Sequence, residues 1–530
     1  MKLLFLHGGS VIDGTGAPAR RADVLVGDGV VRAIGDLAGV DLGSASAERR
    51  DVTGAVVCPG FVDIHTHSDL TLLANPTAPS KVRQGVTTEV VGNCGLGVAP
   101  LPDGADHVAI RAAVSYLDLD PAVAWTWRDL PGYLAALEAA RPSVNVASLV
   151  AHLVLRGGVV GFDDRPATGA EIDTMCALLD DALDAGAIGL STGLVYAPLT
   201  FSRDEELLAL ARTVARHGKV FTWHVRNYDD DLIPSVQQAL DVARRTGCRT
   251  QISHLAVVGR RNWGAVSAAL DLVDGARAAG LSVGVDIYPY LHGNAPLAQL
   301  LPAWVQEGGL DARREQLQHA AVRTAIRSEW VDRAVPWSEI TISWVADPDR
   351  SGVLGRSVAD LAVEQGVDGD DVVLDLLAGL GTGVMMVAGG RSEGDLRTVL
   401  AHPATVVASD GLSLDPDGVT GAGIPHPRSY GCFPRYLSRY AATDPAGFAE
   451  AVARCTSRPA QLAGLADRGW LRVGAPADLV VFRPGRLTDR ATFTDPQQFA
   501  AGIDLVVVNG DIVVDGERHT GQRPGQVLRT

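Results

Sequence analysis

The sequence predicts an α/β fold: a (β/α)8 TIM-type barrel with a small β-sandwich domain formed from both chain termini. Three observations predict it. Eight short, apolar, β-prone runs recur through the middle of the chain with helix-patterned stretches between them, as parallel βα units require. Both ends read instead as hairpins without helices. The side chains best able to bind a metal fall at the ends of the runs, where barrels gather their chemistry.

The amino-terminal stretch, 1–57, contains Asp23-Val-Leu-Val-Gly-Asp28-Gly29-Val-Val-Arg32, two β runs joined by an Asp-Gly pair suited to a type I′ turn. The eight runs then follow at 60–67, 87–94, 143–152, 187–193, 220–226, 250–255, 282–290 and 405–410. Helical stretches at 171–185, 203–217 and 233–246 separate consecutive runs. Residues 291–404 are too long for a plain βα loop and predict an insertion between strands 7 and 8 with helices of its own. Strand patterning returns at Ala477–Phe482 and in a hairpin about Asn509-Gly510. The termini are therefore expected to meet in one β-domain, 1–57 with 465–530, beside a barrel at 58–464.

Composition narrows the function. With 47% hydrophobic and 20% charged residues among 530, the chain can bury a large core. A formal net charge of −16 argues against nucleic acid and anionic membranes, both of which call for basic patches. No apolar run approaches the roughly 18 residues of a membrane span. The opening Met-Lys-Leu-Leu-Phe-Leu is too short for a signal-peptide core. Six cysteines (Cys58, Cys94, Cys176, Cys248, Cys432, Cys455) lack zinc-knuckle spacing and read as reduced thiols. The expectation is a cytoplasmic protein acting on a small molecule; oligomeric state leaves no trace in the sequence.

The chemistry starts at His65 and His67. Alternate side chains of a strand point the same way, so the two imidazoles project together and form half of a metal site. Alone this pair carries little weight. Cys94, His224, His254 and Asp410 each close a further apolar run. One of thirteen histidines at a strand end means little; four, with a cysteine and an aspartate, make a metal site a better reading than scattered core residues.

These pieces resemble the amidohydrolase superfamily and, within it, the D-aminoacylase (N-acyl-D-amino-acid deacylase) family. The likeness rests on Pro59-Gly-Phe-Val-Asp-Ile-His-Thr-His67, Gly85-Val-Thr-Thr-Glu-Val-Val-Gly-Asn-Cys-Gly95, Ile188-Gly-Leu-Ser-Thr-Gly-Leu-Val-Tyr196, His224-Val-Arg-Asn227, Ser253-His-Leu255, Tyr288-Pro-Tyr290, Ser409-Asp-Gly411 and His426-Pro-Arg428. The resemblance implies one tight Zn2+ held by Cys94, His224 and His254. It implies a second, weaker divalent position at His65 and His67, and Asp410 as metal-side catalytic carboxylate. It also implies substrate contacts from Tyr196, Tyr288 and Arg428, whose guanidinium would grip a carboxylate. Two positions depart from the pattern: Ala256 stands where the family has a carboxylate-binding lysine, and Asn294 where it has a serine. Arg260 or Arg261 is a candidate substitute for that lysine, with a solvated position as the alternative for both. His152 matches a family histidine without a clear role.

The lysines separate subtypes. Only Lys2, Lys81 and Lys219 occur. Hydantoinases, dihydroorotases and ureases bridge two metals with a carboxylated lysine at the fourth strand's end, which here reads Leu190-Ser-Thr-Gly-Leu-Val-Tyr196. Lys81 and Lys219 precede strands and are expected at the opposite end of the barrel. The expected reaction is zinc-dependent hydrolysis of the amide bond of N-acyl-D-amino acids or related N-acyl compounds, with Asp410 as general base and then acid. The alternatives are a cyclic-amide hydrolase and a non-catalytic barrel kept as a binding protein, which should have lost a ligand or the aspartate.

Overall fold

Two Asx-Gly pairs organise the ends of the chain. In the computed structural model, which describes residues 3–39, 47–441 and 447–530, β1 (Leu3–Val11) pairs antiparallel with β2 (Arg20–Gly27). The chain turns through Asp28 and Gly29, at φ 50° and 78°, into β3 (Val30–Gly35), the positive angles that a type I′ turn demands. Met1 and Lys2 lie outside the described residues. β4 (Ala47–Asp51) and β5 (Val56–Pro59) each pair in parallel with β1. Cys58 and Pro59, the first residues of the barrel segment expected at 58–464, pair with Val480 and Leu479 in the terminal sheet.

The barrel follows as β6 (Phe61–Asp63), β7 (Val86–Val91), β8 (Asn145–Ala151), β9 (Gly189–Gly193), β10 (Val220–His224), β11 (Arg249–Ile252) and β12 (Val283–Ile287), each parallel to the one before. Helices between them, such as Gly169–Asp184 behind a Thr168/Glu171 capping box, cover the outside. The chain then leaves for β13 (Gly293–Pro296), β14 (Ile340–Val345) and β15 (Val384–Ala388), an antiparallel sheet in the order β13-β15-β14. With four helices over 309–380 this insertion has its own core, including Ile326, Trp330, Ile342, Val373 and Leu377. Its extent is shorter than 291–404, because helix Glu393–Ala401 places Leu396, Val399 and Leu400 in the barrel's core. β16 (Thr405–Val407) then pairs with β12.

Residues just beyond the last paired positions close the barrel. Thr66 bridges Gly411 in parallel, Asp410 N donates to His65 O (2.8 Å) and His67 N to Gly411 O (3.0 Å). The seam between first and last strands is thus built from the predicted site residues. Inside the barrel, Val62, Ile64, Val90, Leu149, Ile188, Val220 and Val406 pack together with Ala460 and Leu465.

β17 (Leu479–Phe482) returns to β5, followed by β18 (Ile503–Val508), β19 (Asp511–Asp515) and β20 (Arg518–His519); Asn509 and Gly510, at φ 46° and 85°, turn the second hairpin. Both termini therefore share one sheet, ordered β20-β19-β18-β17-β5-β1-β2-β3 with β4 on β1. One face buries Leu4, Val24, Val57, Leu479 and Val507, while Phe482 on the other meets Phe61 of the barrel at a tilt, with ring centroids 6.4 Å apart. The last strand, β21 (Val527–Leu528), leaves this sheet and pairs with β8. Among the described residues no helix is long and apolar enough to cross a membrane.

A buried ionic cluster sits in the barrel wall. Lys81 Nζ donates to Asp63 (2.8 Å) and Ser409 Oγ (2.7 Å), with Glu89 at 3.6 Å, and all are shut from solvent. Burial works against the ammonium, but Asp63 and Glu89 outweigh it and hold it charged. Lys81 is therefore not remote from the site as its place before a strand suggests: its side chain climbs the wall to the neighbour of Asp410. Lys81→Met leaves two buried carboxylates unpaired, and urea denaturation should show a loss of about 3 kcal/mol. A loss below ~1 kcal/mol would mean that the cluster contributes little.

Candidate active site

Six predicted side chains converge above the seam, all buried. His65 Nε2 lies 3.2 Å from Cys94 Sγ and 3.3 Å from Asp410 Oδ1. His67 Nε2 lies 3.0 Å from the same carboxylate oxygen. Cys94 Sγ is 3.4 Å from His254 Nε2, and the His224 and His254 rings meet edge to face with centroids 4.6 Å apart. Two potential ligand sets result, His65/His67/Cys94/Asp410 and Cys94/His224/His254, and Cys94 belongs to both.

Local backbone geometry explains how side chains from five strand ends reach one point. Cys94, His254 and Asp410 take φ of 54°, 34° and 50°, a region L-residues avoid and which tends to persist at functional sites. Each turn bends the chain sharply past its strand. Gly193 permits the first: a Cβ there would lie 2.0 Å from Cys94 O, so the Ser-Thr-Gly sequence of β9 needs its glycine.

The electrostatics suit a cation. Burial pushes His224 down to about 3 and His254 well below the usual imidazole range, so both present lone pairs. Neither ring nitrogen of His224 has a hydrogen-bond partner among the described residues, although both are buried. A buried orphan of this kind next to a thiol and a second imidazole is what a metal ion would satisfy. Burial raises the Cys94 thiol to about 11, so a thiolate there calls for a cation. Burial also opposes ionisation of Asp410, but Arg428 and His65 overcome it and hold that carboxyl well below its usual range. The donors present therefore fit zinc.

Three of the other predicted residues, Tyr196, Tyr288 and Asn294, line a cavity of about 370 Å³ together with His67, Cys94, His224, His254 and Asp410. Tyr196 lies 4.9 Å from His224, ring to ring. Asn294 accepts from Ser343 Oγ (3.2 Å) on β14. Arg428 donates through Nη1 to Asp410 Oδ2 (2.7 Å). Arg260 and Arg261 do not arrive: they pair on the surface with Glu339 (3.2 Å) and Asp230 (2.5 Å). His152 is buried against Thr192 (2.9 Å) and Glu206 (2.7 Å) in a structural network with Arg156.

Three neighbours were not singled out from the sequence. Asp286 on β12 lies 3.2 Å from His65 Nδ1 and accepts from His254 N (2.8 Å), orienting two of the clustered histidines at once. A lone acid within the run Val283–Ile287 was its visible signal. Tyr116 reaches His67 Nδ1 (3.1 Å) from the connection after β7, and Tyr228 packs edge-on against His224. No pattern marks either.

Comparison with known proteins places this arrangement. A profile of the amidohydrolase family matches residues 48–514. The chain is 38% identical over 528 residues to an N-acyl-D-glutamate deacylase of Alcaligenes xylosoxydans xylosoxydans, covering 99% of this chain and 96% of that protein. Among solved structures it is similar to the N-acyl-D-glutamate deacylase of Bordetella bronchiseptica, complexed with zinc and a phosphonate mimic of the tetrahedral intermediate (36% identity, TM-score 0.83, all of both chains). It is also similar to a D-aminoacylase described by its binuclear metal centre, with one-metal activation and second-metal attenuation (35% identity, TM-score 0.82, 99% of each chain).

Proposed function

The chain belongs to the amidohydrolase family, and from that premise we propose that it hydrolyses the amide bond of N-acyl-D-amino acids and related N-acyl compounds. The observation that carries the reading is the meeting of Cys94, His254, His65 and Asp410 within hydrogen-bonding distance above the barrel seam. Cys94, His224 and His254 would hold the tight zinc, with His65 and His67 offering the weaker position. Zinc there supplies Lewis-acid polarisation and a water acidic near pH 7.

Asp410, ionised and aligned by Arg428, takes a proton from the attacking water and returns it to the departing nitrogen, which leaves poorly unless protonated. Burial drives the Tyr196 phenol well above its usual range, so it remains a donor for the developing oxyanion. Over the ligands, Pro296, Trp330, Trp337 and Met386 from the insertion form an apolar wall for an acyl or amino-acid side chain. The cyclic-amide alternative loses ground because the end of the fourth strand, Leu190–Tyr196, carries no lysine, and Lys81 is committed to Asp63 and Ser409. The six cysteines are all unpaired, which suits the cytoplasm.

Steady-state assays of N-acetyl-D-leucine, N-acetyl-D-glutamate, their L enantiomers and hydantoin test the reading. Expected is release of the D-amino acid, with a D over L preference of about 100-fold. Turnover of hydantoin alone would overturn it.

A further inference from the structure

We propose that Arg391 supplies the cation missing at Ala256 and holds the substrate's carboxylate beside Tyr288, sharing it with Arg428. The inference rests on the deacylase reading and assigns the residue that anchors the acid end of its substrate.

Arg391 follows β15, where the insertion hands the chain back to the barrel, and it lines the same cavity as His254, Tyr288 and Asp410. Its Nε and Nη1 are buried without a hydrogen-bond partner among the described residues. Leaving charged donors desolvated and unpaired is costly, so such a group persists where a ligand completes it.

The surroundings specify an anion with two oxygens. The guanidinium carbons of Arg391 and Arg428 lie 4.9 and 4.6 Å from the centroid of the Tyr288 ring, so one aromatic side chain orients both planar forks. Arg428 commits Nη1 to Asp410 and cannot offer its whole fork to a substrate. Gly293 leaves room beside the second arginine. A Cβ built there would stand 3.1 Å from Arg391 Nη2 and 3.7 Å from the Tyr288 hydroxyl, so the space over this glycine is bordered by two donors. A carboxylate entering the cavity beside Gly293 would meet both donors. Arg260 and Arg261, each paired on the surface, do not compete for the role.

The test compares N-acetyl-D-leucine with N-acetyl-D-leucinamide, which lacks the carboxylate, in zinc-loaded wild type, Arg391→Ala and Arg391→Lys. Expected for Arg391→Ala is a fall of about 10- to 100-fold in the acid-over-amide ratio of kcat/KM, as loss of a charge-assisted fork implies. KM for the acid should carry most of that fall, and bound zinc should be unchanged. Binding of the product D-leucine to the zinc-loaded protein, followed by calorimetry, should weaken by a similar factor, and Arg391→Lys should recover part of both. An unchanged ratio with unchanged D-leucine affinity would overturn the assignment. If wild type turns over no N-acyl amino acid at all, the deacylase reading itself fails and takes this proposal with it.

Discussion

Asp410→Asn should keep its tight zinc and lose about 10³- to 10⁴-fold in kcat, the range that a positioned general base and acid supplies. Asparagine preserves the shape at the seam: its amide oxygen still accepts from Arg428, which now meets Asp410 Oδ2 at 2.7 Å. Its nitrogen end falls where Oδ1 sits near His65 and His67, at 3.3 and 3.0 Å. What disappears is the ability to take a proton and give it back. The proposed tight zinc set of Cys94, His224 and His254 does not include Asp410, so metal analysis on the variant should still find the tightly held equivalent of zinc. The weaker position at His65 and His67 shares the carboxylate and is the one expected to empty. A kcat within tenfold of wild type, at full zinc loading, would move the proton transfer to another residue.

The six clustered residues were legible because each one interrupts a pattern. A polar side chain at the end of an apolar run is the point where strand periodicity stops, and barrel geometry brings those points together. Their final approach was not legible. Cys94, His254 and Asp410 take positive φ angles, and at Cys94 the turn depends on the close approach of Gly193 to its carbonyl, a contact between residues far apart in the sequence. Asp286 was within reach, since an acid in the middle of Val283–Ile287 breaks the same rule in a run read only as a strand. Tyr116 and Arg391 were not, because each arrives on a connection whose path is set by packing against other elements. Lys81 misled for a related reason: position along the chain locates a backbone, whereas a long side chain carries its charge up the wall to Ser409.

Cys94→Ala tests the metal centre itself. The turn at φ 54° is no harder for alanine than for cysteine, because both carry a Cβ, so the substitution removes Sγ and leaves the backbone strain as it was. That sulfur lies 3.2 Å from His65 Nε2 and 3.4 Å from His254 Nε2 and is the one atom shared by both ligand sets. Its loss leaves the tight position with two imidazoles and no anionic donor. Zinc affinity should fall about 10³-fold, beyond the 10- to 100-fold that follows loss of an outer partner such as Asp286. After brief dialysis against a chelator, Cys94→Ala should hold little zinc while Asp410→Asn, treated alike, keeps its tightly held equivalent. That contrast separates binding from proton transfer, since both variants are inactive and only one is empty. Zinc retained by Cys94→Ala at wild-type stoichiometry would show that the histidines suffice, and the thiolate would have to be withdrawn from the ligand set.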